Sequence, residues 1–418
     1  MHGIIEGFYG PPWTWQERHH VATVLAEAGM DVYVHAPKGD PHHRERWRDP
    51  YPRDELEEFE AFAGAGHLRL GVTVGPGLTM DTEDPAERAL LLAKCQQLVS
   101  TGARLVGLLL DDLEPSPGSG RRHGRLTTWL RDELRDDVEL FMVPLHYTGC
   151  APAPYLDELA AELSDDVPVG WTGRHVVNAT ITAADARQRR AAVGGRRPLL
   201  WDNTPVNDAV MWRNLFTGPL RGREPAVLDE VAGYLANPMP QARASIPALV
   251  SAAAWCRGAD PHDAWEVAVG ADRVLAEGCD GARISELTDA ALGGDPVALS
   301  DLTTWFVAAE HCDAGGFGEP ALPWVEQLRL EAAVGRTACQ LLAADPDEAS
   351  RGAPLLYVMW PIGCGTGHEV LGGRGQLVPA MGQDDRSRWY ADPASYRPPR
   401  NVIDRLVAAV FARSGHRG

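Results

Sequence analysis

Short apolar runs alternate with amphipathic stretches over about the first 255 residues, and this rhythm limits the folds open to the chain more than any other feature. The runs are GIIEGF (3–8), DVYVHA (31–36), LRLGVTVG (68–75), RLVGLLLDD (104–112), VELFMVPLHY (138–147), VPVGWTG (167–173), PLLWDN (198–203) and SIPALVSAAAW (245–255). Near-continuous apolar strands belong to a parallel sheet covered by helices. The stretches between them read mostly as helices. TWQERHHVATVLAEAG (14–29) repeats apolar residues at helical spacing and ends in Gly, and DPAERALLLAKCQQLVSTG (84–102) opens on Asp-Pro and closes on Gly; these are helix start and stop signals. Eight strand–helix repeats in about 255 residues is the size of a (β/α)8 barrel. The rival, a doubly wound open sheet, usually carries a Gly-rich phosphate turn after its first strand. Here FYGPPWTW follows instead, and an α/β barrel is the expected fold.

The pattern changes near residue 258. Segments 260–278, 295–312 and 322–344 read as helices, and in the last of them Val325, Leu328, Ala332, Cys339 and Leu342 share one stripe. A Gly- and Pro-rich region with one short apolar run, PLLYVMW (354–360), follows, and NVIDRLVAAVFARSG (401–415) reads as a closing helix. The expected organisation is a catalytic barrel over 1–258 and a mainly helical domain over 259–418, which suits a chain of 418 residues.

Composition narrows the function. A net charge of −19 repels a phosphate backbone, so nucleic acid is not an expected partner. The Arg-rich GRRHGR (120–125) reads as a solvated loop. No run approaches the roughly 18 apolar residues of a membrane span, and MHGIIEGFYGPPW lacks the basic start of a signal peptide; no membrane partner and a cytoplasmic location are expected. Seven scattered cysteines without a CxxC suit reduced thiols. The pairs His19-His20 and His42-His43 have no metal-ligand spacing, and no GxSxG elbow is present, so neither a metal nor a cofactor is expected.

In a barrel, function gathers where strands end. The run ends carry Glu6-Gly7-Phe8-Tyr9, Lys38, Pro76-Gly77, Asp111-Asp112, His146-Tyr147, Trp171, Trp201-Asp202-Asn203 and Trp255. A regular strand would point Asp111 and Asp112 to opposite faces. Both serve one site only if the strand ends or twists there, and Pro115 with SPGSG downstream supplies an ending. Two carboxylates suggest glycoside hydrolysis, although the usual pair stands across the sugar from different strands. An adjacent pair fits a substrate-assisted reaction, in which the sugar's own 2-acetamido oxygen attacks the anomeric carbon. One carboxylate then holds the amide N–H, and the other protonates the leaving oxygen and later deprotonates water. A like charge beside the acid helps it keep its proton. Tyr9, Tyr147, Trp171 and Trp201 suit an apolar floor for a pyranose. Asn203 and Asp208 in WDNTPVND suit its hydroxyls, and Lys38 stands at a buried strand end.

Taken together, GIIEGFYGPPW, VYVHAPKGDPHHRERWRDPY, LLLDDLEP, VGWTG, LLWDNTPVND and LANP resemble glycoside hydrolase family 84, bacterial and animal β-N-acetylglucosaminidases that include O-GlcNAcases. The resemblance implies a retaining exo-hydrolase that removes terminal β-linked GlcNAc through an oxazoline. Asp111 would orient the acetamido group, and Asp112 would be the general acid/base. Tyr147 would hydrogen-bond near the acetamido oxygen. The Gly7 backbone, Lys38, Asn203, Asp208 and Asn237 would bind the substrate, with Trp201 and Tyr9 shaping the pocket. The implied partner is a GlcNAc-bearing glycoside or glycoprotein. A hyaluronidase-type hydrolase and a catalytically silent GlcNAc-binding protein are the alternatives. One departure is APKGD where the family usually reads APKDD, with Gly39 expected to loosen its loop.

Overall fold

The computed structural model of the chain describes residues 1–362, 366–372, 380–383, 389–392 and 401–413. Eight strands close into a barrel: β1 (His2–Glu6), β2 (Val32–His35), β3 (Arg69–Val74), β4 (Leu105–Leu109), β5 (Glu139–Val143), β6 (Val169–Trp171), β7 (Pro198–Asp202) and β8 (Gly233–Ala236). All neighbours are parallel, and β1 pairs with β8 to complete the ring. Helices α1 (Trp15–Glu27), α2 (Arg53–Ala65), α3 (Pro85–Ser100), α4 (Ser119–Glu133), α5 (Pro154–Glu162), α6 (Ala183–Ala192) and α7 (Ala242–Cys256) follow the strands.

The helix signals act as their chemistry requires. Thr14 caps α1 and exchanges bonds with Glu17 in a capping box, and Asp84 caps α3 ahead of Pro85. Gly29 and Gly102, just beyond these helices, take positive φ. GRRHGR is not a loop. It lies within α4, where Arg125 and Arg131 pair with Glu162 and Asp166 at the α5 side. Partner carboxylates on a neighbouring helix are what periodicity within one segment does not reveal.

Alternation sorts each strand. Ile5, Val32, Val34, Ala36, Leu105, Leu109, Phe141, Val143, Leu199, Trp201 and Leu235 fill the barrel interior. The residues between them face the helical shell and form the larger core with Val21, Leu25, Leu91, Leu98 and Leu249. Glu6 and Asp202 lie on this outer register and are fully buried. Arg18 donates two bonds to Glu6, at 2.9 and 3.0 Å, and Tyr33 donates a third. Arg223 and Tyr234 hold Asp202 in the same way. These two rim carboxylates therefore brace the barrel wall and do not face its mouth.

The eighth strand differs from its expected position. Segment 245–255 lies within α7, which packs against α1, β1 and β8, while the true β8 is the four-residue GYLA at 233–236. Ala-rich, 15-residue α7 is a helix former buried almost all round, so its apolar run mimics a buried strand. Trp255 consequently leaves the rim and packs edge-on to the Tyr234 ring.

Beyond α7 the chain is mostly helical: α8 (Pro261–Val269), α9 (Arg273–Asp280), α10 (Ala282–Leu292), α11 (Pro296–Glu310), α12 (Leu322–Ala343), α13 (Pro346–Ile362) and α14 (Val402–Arg413). The segment 260–278, expected as one helix, breaks at Gly270, whose φ is 46°. PLLYVMW belongs to α13, so helix extends through part of the Gly- and Pro-rich region. The proposed end of the closing helix, 414–415, lies outside the described residues. Strands β9 (Ala380–Gln383) and β10 (Trp389–Asp392) pair antiparallel. Leu328, Ala332 and Cys339 of α12 anchor a second core, which also takes Leu215, Met239 and Ala244 from the barrel side of residue 258. Among the described residues no helix is long and apolar enough to cross a membrane.

Candidate active site

Extending the interior register by one step beyond each strand brings the polar residues together. After Ile5 comes Gly7, after Ala36 comes Lys38, after Leu109 comes Asp111, after Trp201 comes Asn203 and after Leu235 comes Asn237. All five line one cavity of about 710 Å³, along with Tyr9, Asp112, Tyr147, Trp201 and Asp208. This volume suits a small ligand with part of a substituent. Trp171 also lines the cavity, with its indole N–H bonded to the Gly149 carbonyl at 2.9 Å. Pro76-Gly77, His146 and Trp255 do not line it.

Asp112 breaks the alternation. Strand β4 ends at Leu109, and Asp112 adopts a left-handed φ of 56°. That turn, costly for a residue with a Cβ, lets the second carboxylate reach the cavity that the first reaches by register. The two side chains then meet different neighbours. Lys38 Nζ donates to Asp111 Oδ2 at 2.6 Å, and both side chains are nearly buried. Burial opposes the charge of Asp111, but the Lys38 charge and hydrogen bond, with Arg44 behind them, hold its carboxyl below the usual range. Asp112 sits between two phenols: Tyr9 Oη donates to its Oδ2 at 2.9 Å and Tyr147 Oη to its Oδ1 at 3.1 Å. Burial, followed by the Asp112 charge, pushes the Tyr9 phenol up to about 12. Burial and both aspartates raise Tyr147 well above the ordinary range. Both phenols therefore stay protonated as donors.

The remaining predicted residues build the wall. Asn203 Oδ1 accepts from Trp201 Nε1 at 3.0 Å and from Asn237 Nδ2 at 2.9 Å, while its Nδ2 donates to the Val176 carbonyl at 2.8 Å. Asn237 Oδ1 in turn accepts from the Gly7 N–H at 3.2 Å. One amide pair thus ties the ends of β1, β7 and β8 and orients the Trp201 ring. Gly7 is needed because a Cβ there would stand 2.3 Å from that ring. Asp208 Oδ2 accepts the Tyr9 N–H at 2.6 Å, and burial raises the pKa of its carboxyl above the ordinary value. Gly39 does not loosen its loop. A Cβ there would stand 2.7 Å from the Gly10 carbonyl oxygen, so the glycine lets two rim loops touch.

Sequence reasoning passed over Arg44, which stands 3.8 Å from Asp112 Oδ2, and the apolar mouth formed by Val177, Val210 and Met211. Val210 is 67% exposed, a large apolar side chain left open beside the cavity. Loop positions carry no periodicity to mark them. Among the described residues no cluster of His, Cys, Asp and Glu suits a metal ion.

A family model described as beta-N-acetylglucosaminidase matches residues 2–278. Protein O-GlcNAcase from Rattus norvegicus and from Mus musculus are each 29% identical over 271 residues, covering 60% of this chain and 29% of each relative. The chain thus matches under a third of those relatives' length. Among solved structures, a mutant O-GlcNAc hydrolase of Thermobaculum terrenum aligns with a TM-score of 0.78 at 23% identity, over 99% of this chain and 96% of that one. CpGH84B aligns with a TM-score of 0.81 at 22% identity, over 98% of this chain and 76% of that one. Both share this fold.

Proposed function

The chain belongs to the β-N-acetylglucosaminidase family, and from that premise we propose that it is a retaining exo-hydrolase that removes terminal β-linked GlcNAc by substrate-assisted catalysis. The observation that carries this reading is the unlike setting of two adjacent aspartates at one cavity. Asp111 is buried and ion-paired with Lys38, while Asp112 is more open and held by two phenols.

A paired carboxylate is suited to accept a hydrogen bond from an amide N–H and to face the positive charge that develops on it. In the first step the acetamido carbonyl oxygen attacks the anomeric carbon, and Asp111 holds the N–H and stabilises the charge. Asp112 gives its proton to the departing oxygen. In the second step Asp112 takes a proton from water as that water attacks the anomeric carbon and opens the oxazoline. Two inversions return the β configuration. Tyr147, now bonded to Asp112, is placed to donate to the acetamido oxygen instead. Trp201 offers an apolar surface to the acetyl methyl and the ring. The mammalian relatives are named for removing O-GlcNAc from protein, and the apolar mouth at Val177 and Val210 suits an aglycone larger than water. A protein-borne GlcNAc is accordingly the substrate proposed.

Comparing aryl β-GlcNAc with the matching aryl β-glucoside tests the reading. Without an acetamido nucleophile the glucoside should react at least about 10³-fold more slowly, because the intramolecular advantage is gone. The first sugar released from the GlcNAc substrate should be the β anomer by NMR. Similar rates on the two substrates, or an α product, would refute the mechanism.

A further inference from the structure

One charged group beside the aspartates has no part in the steps above. Arg44 NH1 stands 3.8 Å from Asp112 Oδ2 and donates to Tyr9 Oη at 3.4 Å, while Tyr9 Oη donates to the same Asp112 oxygen. Its side chain is 14% exposed and does not line the cavity. It therefore reaches the substrate only through Asp112 and Tyr9.

We infer that Arg44 is a positioning residue and the counter-charge of Asp112, so that one loop supplies a cation to each aspartate, Lys38 to Asp111 and Arg44 to Asp112. The inference rests on the proposed role of Asp112 as general acid/base. It answers how two adjacent carboxylates share a partly buried site: Lys38 pairs with Asp111, and Arg44 stands against Asp112 while its charge also reaches Asp111.

The loop is built to hold both cations still. Between them, Asp40 accepts from Tyr51 Oη at 2.6 Å and from the His42 N–H at 2.8 Å, and it lies 3.2 Å from His35 Nε2. The Gly75 N–H bonds to the His43 carbonyl at 2.8 Å, pinning the backbone next to Arg44. The His43 ring, pushed down to about 4 by burial and by Lys38, adds no competing charge at neutral pH.

The groups facing Asp112 come from several elements. Tyr9 follows β1, Lys38 and Arg44 follow β2, Asp111 follows β4, Tyr147 follows β5, and Asp208 lies after β7 behind the Tyr9 amide. The phenols are neutral, and Lys38 and Asp111 offset one another. Arg44 is the unbalanced charge nearest to Asp112 among these groups. A fixed planar guanidinium bonds the Tyr9 oxygen while facing the carboxylate, which a lysine does less well.

The test is the pH profile of kcat/KM on an aryl β-GlcNAc for the full chain and its Arg44→Met, Arg44→Gln and Arg44→Lys variants. Removing a neighbouring cation favours the protonated acid. The alkaline limb of the Met and Gln variants should therefore move up by about one pH unit, with KM changed less than about threefold. Arg44→Lys should keep the limb near its original position. The glutamine variant preserves much of the side-chain shape if the methionine variant does not fold. A limb that stays in place in the folded neutral variants, or that moves equally in the lysine variant, overturns the inference while the proposed function stands. Absence of hydrolysis by the unaltered chain overturns the underlying function, and the inference with it.

Discussion

Asp111→Ala is expected to lower kcat on β-GlcNAc substrates by about 10³-fold, the scale of losing a preorganised electrostatic contact to the reacting group. Three features on the page set this size. The carboxylate is nearly buried, so little water is available to replace it. It is held in its charged form by Lys38 against the cost of burial. Its removal also leaves the Lys38 ammonium, 5% exposed, facing the site without its anion. With Asp111 in its proposed role on the nucleophile, the loss should be nearly equal for good and poor leaving groups. Asp111→Asn keeps an acceptor but loses the charge, and should still fall by about 10². Steady-state kinetics across a set of aryl substrates measures both the size and the slope. A loss below about tenfold would remove Asp111 from the mechanism.

Asp112→Ala should give the opposite pattern. Loss of a general acid costs about 10² to 10⁴ where the leaving group needs a proton. In kcat/KM, which reports the first step, a phenyl or alkyl glycoside should show that full effect, and a dinitrophenyl glycoside, which departs unaided, should show little. The second step also loses its base, so the oxazoline should wait for water. Azide, which needs no deprotonation, should then speed turnover and yield the β-glycosyl azide. A uniform loss across leaving groups, with no azide product, would assign Asp112 a structural role. The left-handed backbone at Asp112 makes such a role worth excluding, since strain of this kind persists only where surrounding contacts enforce it.

Much of this arrangement is legible in the sequence. Seven of the eight barrel strands were placed by buried apolar runs, because a parallel strand covered on both faces has nothing else to show. Strand β8 was not, since four residues of GYLA leave a fainter trace than the 15-residue apolar helix after it. The site was legible where it obeys alternation: Gly7, Lys38, Asp111 and Asn203 each follow an interior residue by two. Position at a strand end, taken without regard to register, also enrolled Glu6 and Asp202 as rim carboxylates, although they sit on the outer register and are bound to Arg18 and Arg223. Asn237 came only from the resemblance of LANP, because its strand had been misplaced. Arg44 falls inside the quoted stretch VYVHAPKGDPHHRERWRDPY, but no periodicity or strand end singles it out. It lies several residues past β2 in an irregular loop whose shape depends on Asp40, Tyr51 and Thr73, contacts made across the fold.

The central claim is that the nucleophile belongs to the substrate. It is tested most directly by replacing the N-acetyl group of an aryl β-GlcNAc with mono-, di- and trifluoroacetyl groups, which drain electron density from the carbonyl oxygen while changing its size little. Attack by that oxygen predicts that kcat falls steeply along the series, by about 10² or more overall. A rate that stays flat across the series would mean that an enzyme carboxylate attacks instead, and would contradict the division of labour drawn here between Asp111 and Asp112.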